Sequence, residues 1–197
     1  MNYTTLDLIK SYGGNVTGIV DDTLIQDTLI PGYSAQVDEY CHQYFGAATY
    51  ADQVLPAHID RDGVMVCYPP VPTLTAPTAV AWRYGRLSSW VDIDASMADV
   101  EPRQAGAIVR ILDRDYGEYR GRRVQMRLSY SGGYADTDSL PRDFLTACTR
   151  LVWWAYKLRE APLSKTAMPG LGQVVIPPSG WPGDVRDALR PYVRRTI

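Results

Sequence analysis

The sequence predicts an α+β subunit: a small helical bundle around a long core helix, with an inserted β-strand region and an extended C-terminal arm ending in a short helix. Three observations predict it. Residues 139–160 carry a strongly amphipathic helical pattern, residues 63–130 break into short alternating apolar runs, and the stretch after Pro162 is rich in proline and glycine. The chain, at 197 residues, is long enough for one well-buried core.

Helices are expected over residues 1–46. Thr4-Thr5-Leu6-Asp7 resembles a capping box, and Gly13-Gly14 stops a helix of about two turns. Asp21 and Asp22 cap a second helix, in which Ile25, Leu29, Val37, Tyr40, Cys41 and Tyr44 keep helical spacing until Gly46. Pro31-Gly32 interrupts it, because proline lacks a donor and its ring meets the carbonyl of Asp27; a kink or break is expected.

The runs "GVMVCY", "TAVAWRY", "WVDID", "GAIVRIL" and "RVQMRLSY" within residues 63–130 are bounded by Pro, Gly and Asp and predict strands. Pro69, Pro70, Pro72 and Pro77 mark the connection between the first two. The long helix is placed from Pro141 to Glu160, with Ser139 as a cap. Phe144, Cys148, Leu151, Ala155 and Leu158 form its stripe, widened by Leu145 and Val152. Trp153 and Trp154 flank a stripe that is already filled, so a second element or a second subunit is expected to cover them. Together with Val174, Val175 and Ile176, the one apolar run of the arm, they form the predicted subunit interface.

The arm ends in "DVRDALRPYVRRTI", where Val185, Leu189 and Tyr192 share one face and Arg186, Arg190, Arg194 and Arg195 make the segment basic. A helix this short is marginal alone in water, so the apolar face needs a partner. Two partners fit: the chain's own core or another protein.

Chemistry is sparsely signalled. In "YSGGYADTDSLPRDF" the pair Gly132-Gly133 lies near a helix start, as in a phosphate cradle, but Asp136 and Asp138 intervene and repel phosphate. A hinge after a strand is the better reading. Gly170-Leu171-Gly172 lacks the third glycine of a dinucleotide fingerprint, and Asp113–Glu118 lacks calcium-loop spacing. His42 follows Cys41 on a predicted helix, where the two side chains diverge; neither it nor His58 has a further Cys/His partner nearby in sequence, and there is no nucleophile elbow. No catalytic, cofactor or metal residue is assigned.

Cys41, Cys67 and Cys148 are dispersed and read as reduced core thiols. No secretion signal or membrane-length apolar run is visible, so a soluble protein made in the cytoplasm is expected. A net charge of −2 argues against a surface built wholly for nucleic acid. Arg114, Arg120, Arg122, Arg123 and Arg127 concentrate positive charge in the strand region. They read first as a solvated face paired with acids, and second as a contact with DNA or an acidic surface.

The helix "DDTLIQDTLIPGYSAQVDEYCHQYF", the segment "VMVCYPPVPTLTAPTAVAWRYG" and the run "VQMRLSYSGGYADTDSLPRDFLTACTRLVWWAYKLREAP" together resemble the head–tail connector family of tailed phages, also called adaptor or head-completion proteins. The resemblance covers most of residues 1–162; Pro31-Gly32 and the longer β-region depart from it. It implies an adaptor core over residues 1–160 and an arm over 161–197. It further implies a non-enzymatic virion protein of the neck, assembled in the bacterial host cytoplasm as a homo-oligomeric ring, commonly of twelve copies, below the portal. The implied partners are the portal protein, a downstream neck or tail-completion protein, and packaged DNA passing through the channel without sequence-specific binding. No cofactor and no membrane are implied. The C-terminal segment would dock on the portal through Val185, Arg186, Leu189, Arg190, Tyr192, Arg194 and Arg195. On that reading, deleting residues 181–197 leaves a folded subunit that no longer joins portal-bearing heads. The competing classes are a DNA-binding or other virion module built on the strand-region arginines, and an enzyme with an unrecognised site at His42 or His58.

Overall fold

The apolar stripe of residues 144–158 folds as the helix it predicts, α4 (Arg142–Glu160), with Phe144, Cys148, Leu151, Val152 and Tyr156 buried along it. The computed structural model describes residues 1–13, 19–85, 88–160, 167–168, 171–172 and 180–194. Two units divide the chain: one of Met1–Tyr40 with Thr137–Pro191, the other of Cys41–Asp136 with Tyr192–Ile197.

In the first unit α4 packs against α1 (Leu6–Gly13) and against the second helical stretch. Their shared core is Ile9, Ile25, Ile30, Val152 and Tyr156. Tyr3 joins the two by its ring, edge-on to Phe144 at 5.5 Å, and by its hydroxyl, which donates to Asp38. The Thr4 and Thr149 hydroxyls, 2.7 Å apart, satisfy one another in the interior.

The proline of the second helix does not break it. Helix α2 (Ile19–Leu24) passes into a π-helical turn (Ile25–Leu29) and on into α3 (Ile30–Cys41). The Ile30 N–H donates to the Ile25 carbonyl, one residue further back than in an α-helix. Widening the turn just before Pro31 gives its ring room without ending the helix. The helix stops at Cys41, earlier than Gly46, because His42 takes a left-handed conformation at φ 53°.

Leu151 is fully buried in this helical unit. Leu151→Asp is expected to cost at least about 3 kcal/mol, since it combines a lost side chain with a lone buried carboxylate. A circular-dichroism melt checks this; a soluble variant with the parent's melting curve would refute the packing of α4.

The second unit holds seven strands: β1 (Ala48–Ile59), β2 (Met65–Cys67), β3 (Ala79–Tyr84), β4 (Val91–Ile93), β5 (Ala98–Glu101), β6 (Ile108–Ile111) and β7 (Val124–Gly132). They form one antiparallel sheet in the order β4-β3-β7-β1-β2-β6-β5. Strand β7 shows why: Val124, Met126, Leu128 and Tyr130 are buried while the residues between them are not.

Chain connectivity forces this sheet to roll. The edge strands β4 and β5 are consecutive in sequence, so residues 94–97 must join the two ends of the sheet. Laid flat, seven strands would separate the edges by about 29 Å, at about 4.8 Å per neighbour. The chain from Ile93 to Ala98 reaches at most about 18 Å. The sheet therefore curls, and its concave side encloses Leu55, Met65, Trp82, Ile111, Met126 and Tyr130 among others.

Here the expected fold is overturned. The protein is mostly a curled seven-stranded antiparallel sheet with few helices, and is not a small helical bundle around a long core helix. The element without a clear sequence pattern is β1, a central strand of twelve residues. A bulge between Tyr50 and Gln53, with Asp52 at φ 50°, breaks its alternation, and Pro56 sits inside it. Pro56 is tolerated because β2 begins pairing only at Ala57, leaving one flank of Pro56 without a neighbour that needs a donor. In the arm, residues Ala167–Met168 (β8) and Leu171–Gly172 (β9) pair antiparallel.

Candidate functional site

The basic C-terminal segment carries most of the residues singled out from the sequence. Helix α5 (Gly183–Leu189) buries Val185 and Leu189 and packs on α4, where Arg150 forms an ion pair with Asp184. The apolar face that needed a partner thus finds one within its own chain. Arg186 and Arg190 lie on the exposed side. Val174, Val175, Ile176 and Arg195 lie outside the described residues. Because α5 packs on α4, deleting residues 181–197 is expected to uncover part of the core as well as to remove the exposed arginines.

Beyond a 3₁₀ turn (Arg190–Tyr192), the segment enters the sheet unit as a strap. Tyr192 is fully buried, its ring 6.1 Å from Phe45, and its carbonyl accepts from Gln43 Nε2 at 2.6 Å. The same Gln43 nitrogen donates to the Gln104 carbonyl at 2.8 Å. The Arg194 N–H donates to the Cys41 carbonyl at 2.9 Å, and Arg194 Nη2 to the Tyr68 carbonyl at 2.6 Å. Gly106, at φ 99°, lets the backbone close in between Pro69, Gln43 and Arg194. Neither Gln43 nor the acceptor carbonyls carry a sequence signal, which is why the strap was not foreseen.

The strap holds a cation without a carboxylate. Burial lowers the Arg194 pKa, opposed by Tyr130 and Cys67 nearby. Burial pushes the Cys67 thiol up to about 12, with Arg194 working the other way, and raises the Tyr130 phenol too. Both stay neutral at physiological pH, so the guanidinium is held by the Tyr68 carbonyl, and its Nε is buried without a hydrogen-bond partner.

The other candidates resolve individually. Trp153 is half-buried, stacked on Tyr156 at 5.6 Å and capped by Lys157 Nζ at 4.7 Å; a Cβ on Gly13 would strike its ring. It is therefore already engaged within the chain. Trp154 is half-buried. Gly133, at φ 92°, donates its N–H to the Thr73 carbonyl at 2.9 Å, so that N–H is committed and the glycine pair is a hinge. His58 stacks on Tyr68 at 5.6 Å, and His42 is exposed. Among the described residues no group of three His, Cys, Asp or Glu converges, and no helix is long and apolar enough to cross a membrane.

The strand-region arginines divide. Arg127 meets Asp52 at 3.6 Å and Asp92 at 3.7 Å, and its guanidinium lies 5.0 Å from the Trp90 ring. Arg114 lies over Trp82 and Tyr116, Arg120 donates to the Arg61 carbonyl, and Arg122 lies over Tyr119 at 5.9 Å. Among the described residues, ion pairing reaches only Arg127 of the five.

No protein-family profile and no curated protein matches the chain. Solved structures do. A chain in the neck of an empty gene transfer agent particle, computed with C6 symmetry, matches at TM-score 0.50 and 15% identity, covering 96% of this chain and 88% of that one. A chain in the virion of the native gene transfer agent particle matches at TM-score 0.51 and 17% identity, covering 97% and 89%. At these identities the likeness shows a shared fold, extending over nearly the whole of each chain.

Proposed function

We propose that this chain is a structural protein of the neck of a phage-like particle, a head–tail connector that works by assembly and not by catalysis. The observation that carries the reading is the shared fold, end to end, with a chain of a gene transfer agent neck and a chain of that particle's virion. The resemblance of three sequence segments to phage connectors points the same way.

In this reading the subunit forms a homo-oligomeric ring of twelve below the portal, a number compatible with the sixfold symmetry of the neighbouring neck. The ring extends the DNA channel, and a downstream neck or tail-completion protein continues it. The portal receives the exposed side of the C-terminal helix, Arg186 and Arg190, while Val185 and Leu189 hold that helix to its own subunit. Placing the charges outward suits an acidic receiving surface, and Arg190 also sits at the negative end of the helix.

Cryo-electron microscopy of assembled particles tests this. The expected result is a ring of this chain at the neck, and loss of that ring from heads carrying Arg186→Glu with Arg190→Glu, although the variant remains folded. One or two copies at the neck, or none, would overturn the connector reading; an intact ring with the double variant would overturn the portal contact.

A further inference from the structure

An open cavity of about 400 Å³ lies on the sheet unit, lined by Pro56, Ala57, Gly85, Arg122, Arg123, Val124 and Gln125. It sits at the ends of β1, β3 and β7, interior strands of the sheet, where β1 has β7 on one side of Pro56 and no strand on the other. Gly85 turns the chain there at φ 66°, its N–H donating to the Arg123 carbonyl at 2.8 Å, and the space where its Cβ would point is empty.

The charges in the turn that leads into Arg122 are unequally engaged. Asp113 accepts from the Tyr116 hydroxyl and Asp115 from the Gly117 N–H at 2.7 Å. Asp113 and Asp115 are thus committed inside their own turn, and among the described residues no acid lines the cavity. Arg122 and Arg123 are exposed, and among the described residues neither guanidinium forms an ion pair. On the rim, Tyr84 is 45% exposed and lies 5.3 Å from Tyr119, over which Arg122 stands.

We propose that this cavity is a phosphodiester-binding surface that holds a DNA backbone without reading its sequence. Two adjacent guanidinium forks fit phosphate oxygens, and an exposed tyrosine beside them gives sugars and bases an apolar rest. A protein partner would need a strand edge with free donors or an apolar interface core; the unpaired flank at Pro56 has no N–H to offer, and two exposed guanidiniums stand where an apolar core would have to form. Base reading would require an element presented into a groove, which a recessed cavity is not. The proposal rests on the neck reading only for the source of the DNA.

Fluorescence anisotropy of the full-length protein with short labelled duplexes of unrelated sequence, over a range of salt, tests it. Each phosphate contact contributes about 0.9 to the slope of log affinity against log salt. Arg122→Gln with Arg123→Gln is therefore expected to flatten the slope by about 2 and weaken binding at low salt at least about tenfold, equally for every duplex. Arg123→Gln alone, which keeps one fork, is expected to flatten it by about 1. No binding by the parent, an unchanged slope in both variants, or a preferred sequence would overturn the proposal. So would a double variant that keeps its DNA affinity but drops out of the neck ring, which would make the cavity a protein contact. DNA binding that fails while the ring is present leaves the neck reading standing; the reverse result sinks that reading and keeps the cavity.

Discussion

Gly133→Ala is expected to lose more than about 4 kcal/mol of folding stability, a large share of the roughly 5–15 kcal/mol that holds such a domain together. A Cβ at Gly133 would lie 2.1 Å from the Gly46 oxygen, 2.5 Å from its carbonyl carbon and 2.9 Å from the Ala47 nitrogen. All three are backbone atoms and cannot swing aside. They belong to a tight set of bonds: Tyr134 N–H to the Phe45 carbonyl at 2.7 Å, Ala47 N–H to the Tyr134 carbonyl at 2.8 Å, and Gly133 N–H to Thr73. Relieving the clash breaks several of these, and the φ of 92° adds strain for any L side chain. Gly32→Ala is the control: it lies in α3, nothing stands within 4 Å of the new Cβ, and a gain of up to about 1 kcal/mol is expected. Thermal melts followed by circular dichroism separate the two. Should Gly133→Ala melt with the parent, the hinge geometry is wrong.

Tyr192→Ala is expected to cost about 3–5 kcal/mol, the usual range for emptying a buried aromatic site. It also leaves Gln43 without the ring that positions its acceptor carbonyl, so the strap should open locally before the unit unfolds. Cys41 is fully buried, and its carbonyl holds Arg194, so Cys41 should become reactive to a thiol reagent under native conditions in the variant and stay shielded in the parent. Arg194→Met is the contrasting substitution. It removes a desolvated cation with an unpartnered Nε, so a change within about 1 kcal/mol is expected although three heavy-atom donors are lost. A Tyr192→Ala protein with parental stability and a silent Cys41 would mean the strap does not hold the unit.

What the sequence by itself determined is what local periodicity can encode. Helix α4 was legible because Phe144, Cys148, Leu151 and Ala155 repeat at helical spacing, and β7 because its buried residues alternate strictly. The hinge at Gly132-Gly133 was legible from two acids that spoil a phosphate cradle. What only the tertiary structure decided depends on partners distant in the chain. Strand β1 has a bulge and an internal proline, so it is specified by β7, more than seventy residues away, against which Val54 pairs with Arg127 and Leu55 with Met126. The curl of the sheet comes from a connection too short to span a flat one, a constraint that appears only when strand order is known. The strap was hidden for the same reason. Arg194 reads in sequence as one more surface cation, and it becomes a half-buried latch because the carbonyls of Cys41 and Tyr68, which have no side-chain signature, accept from its backbone N–H and its guanidinium.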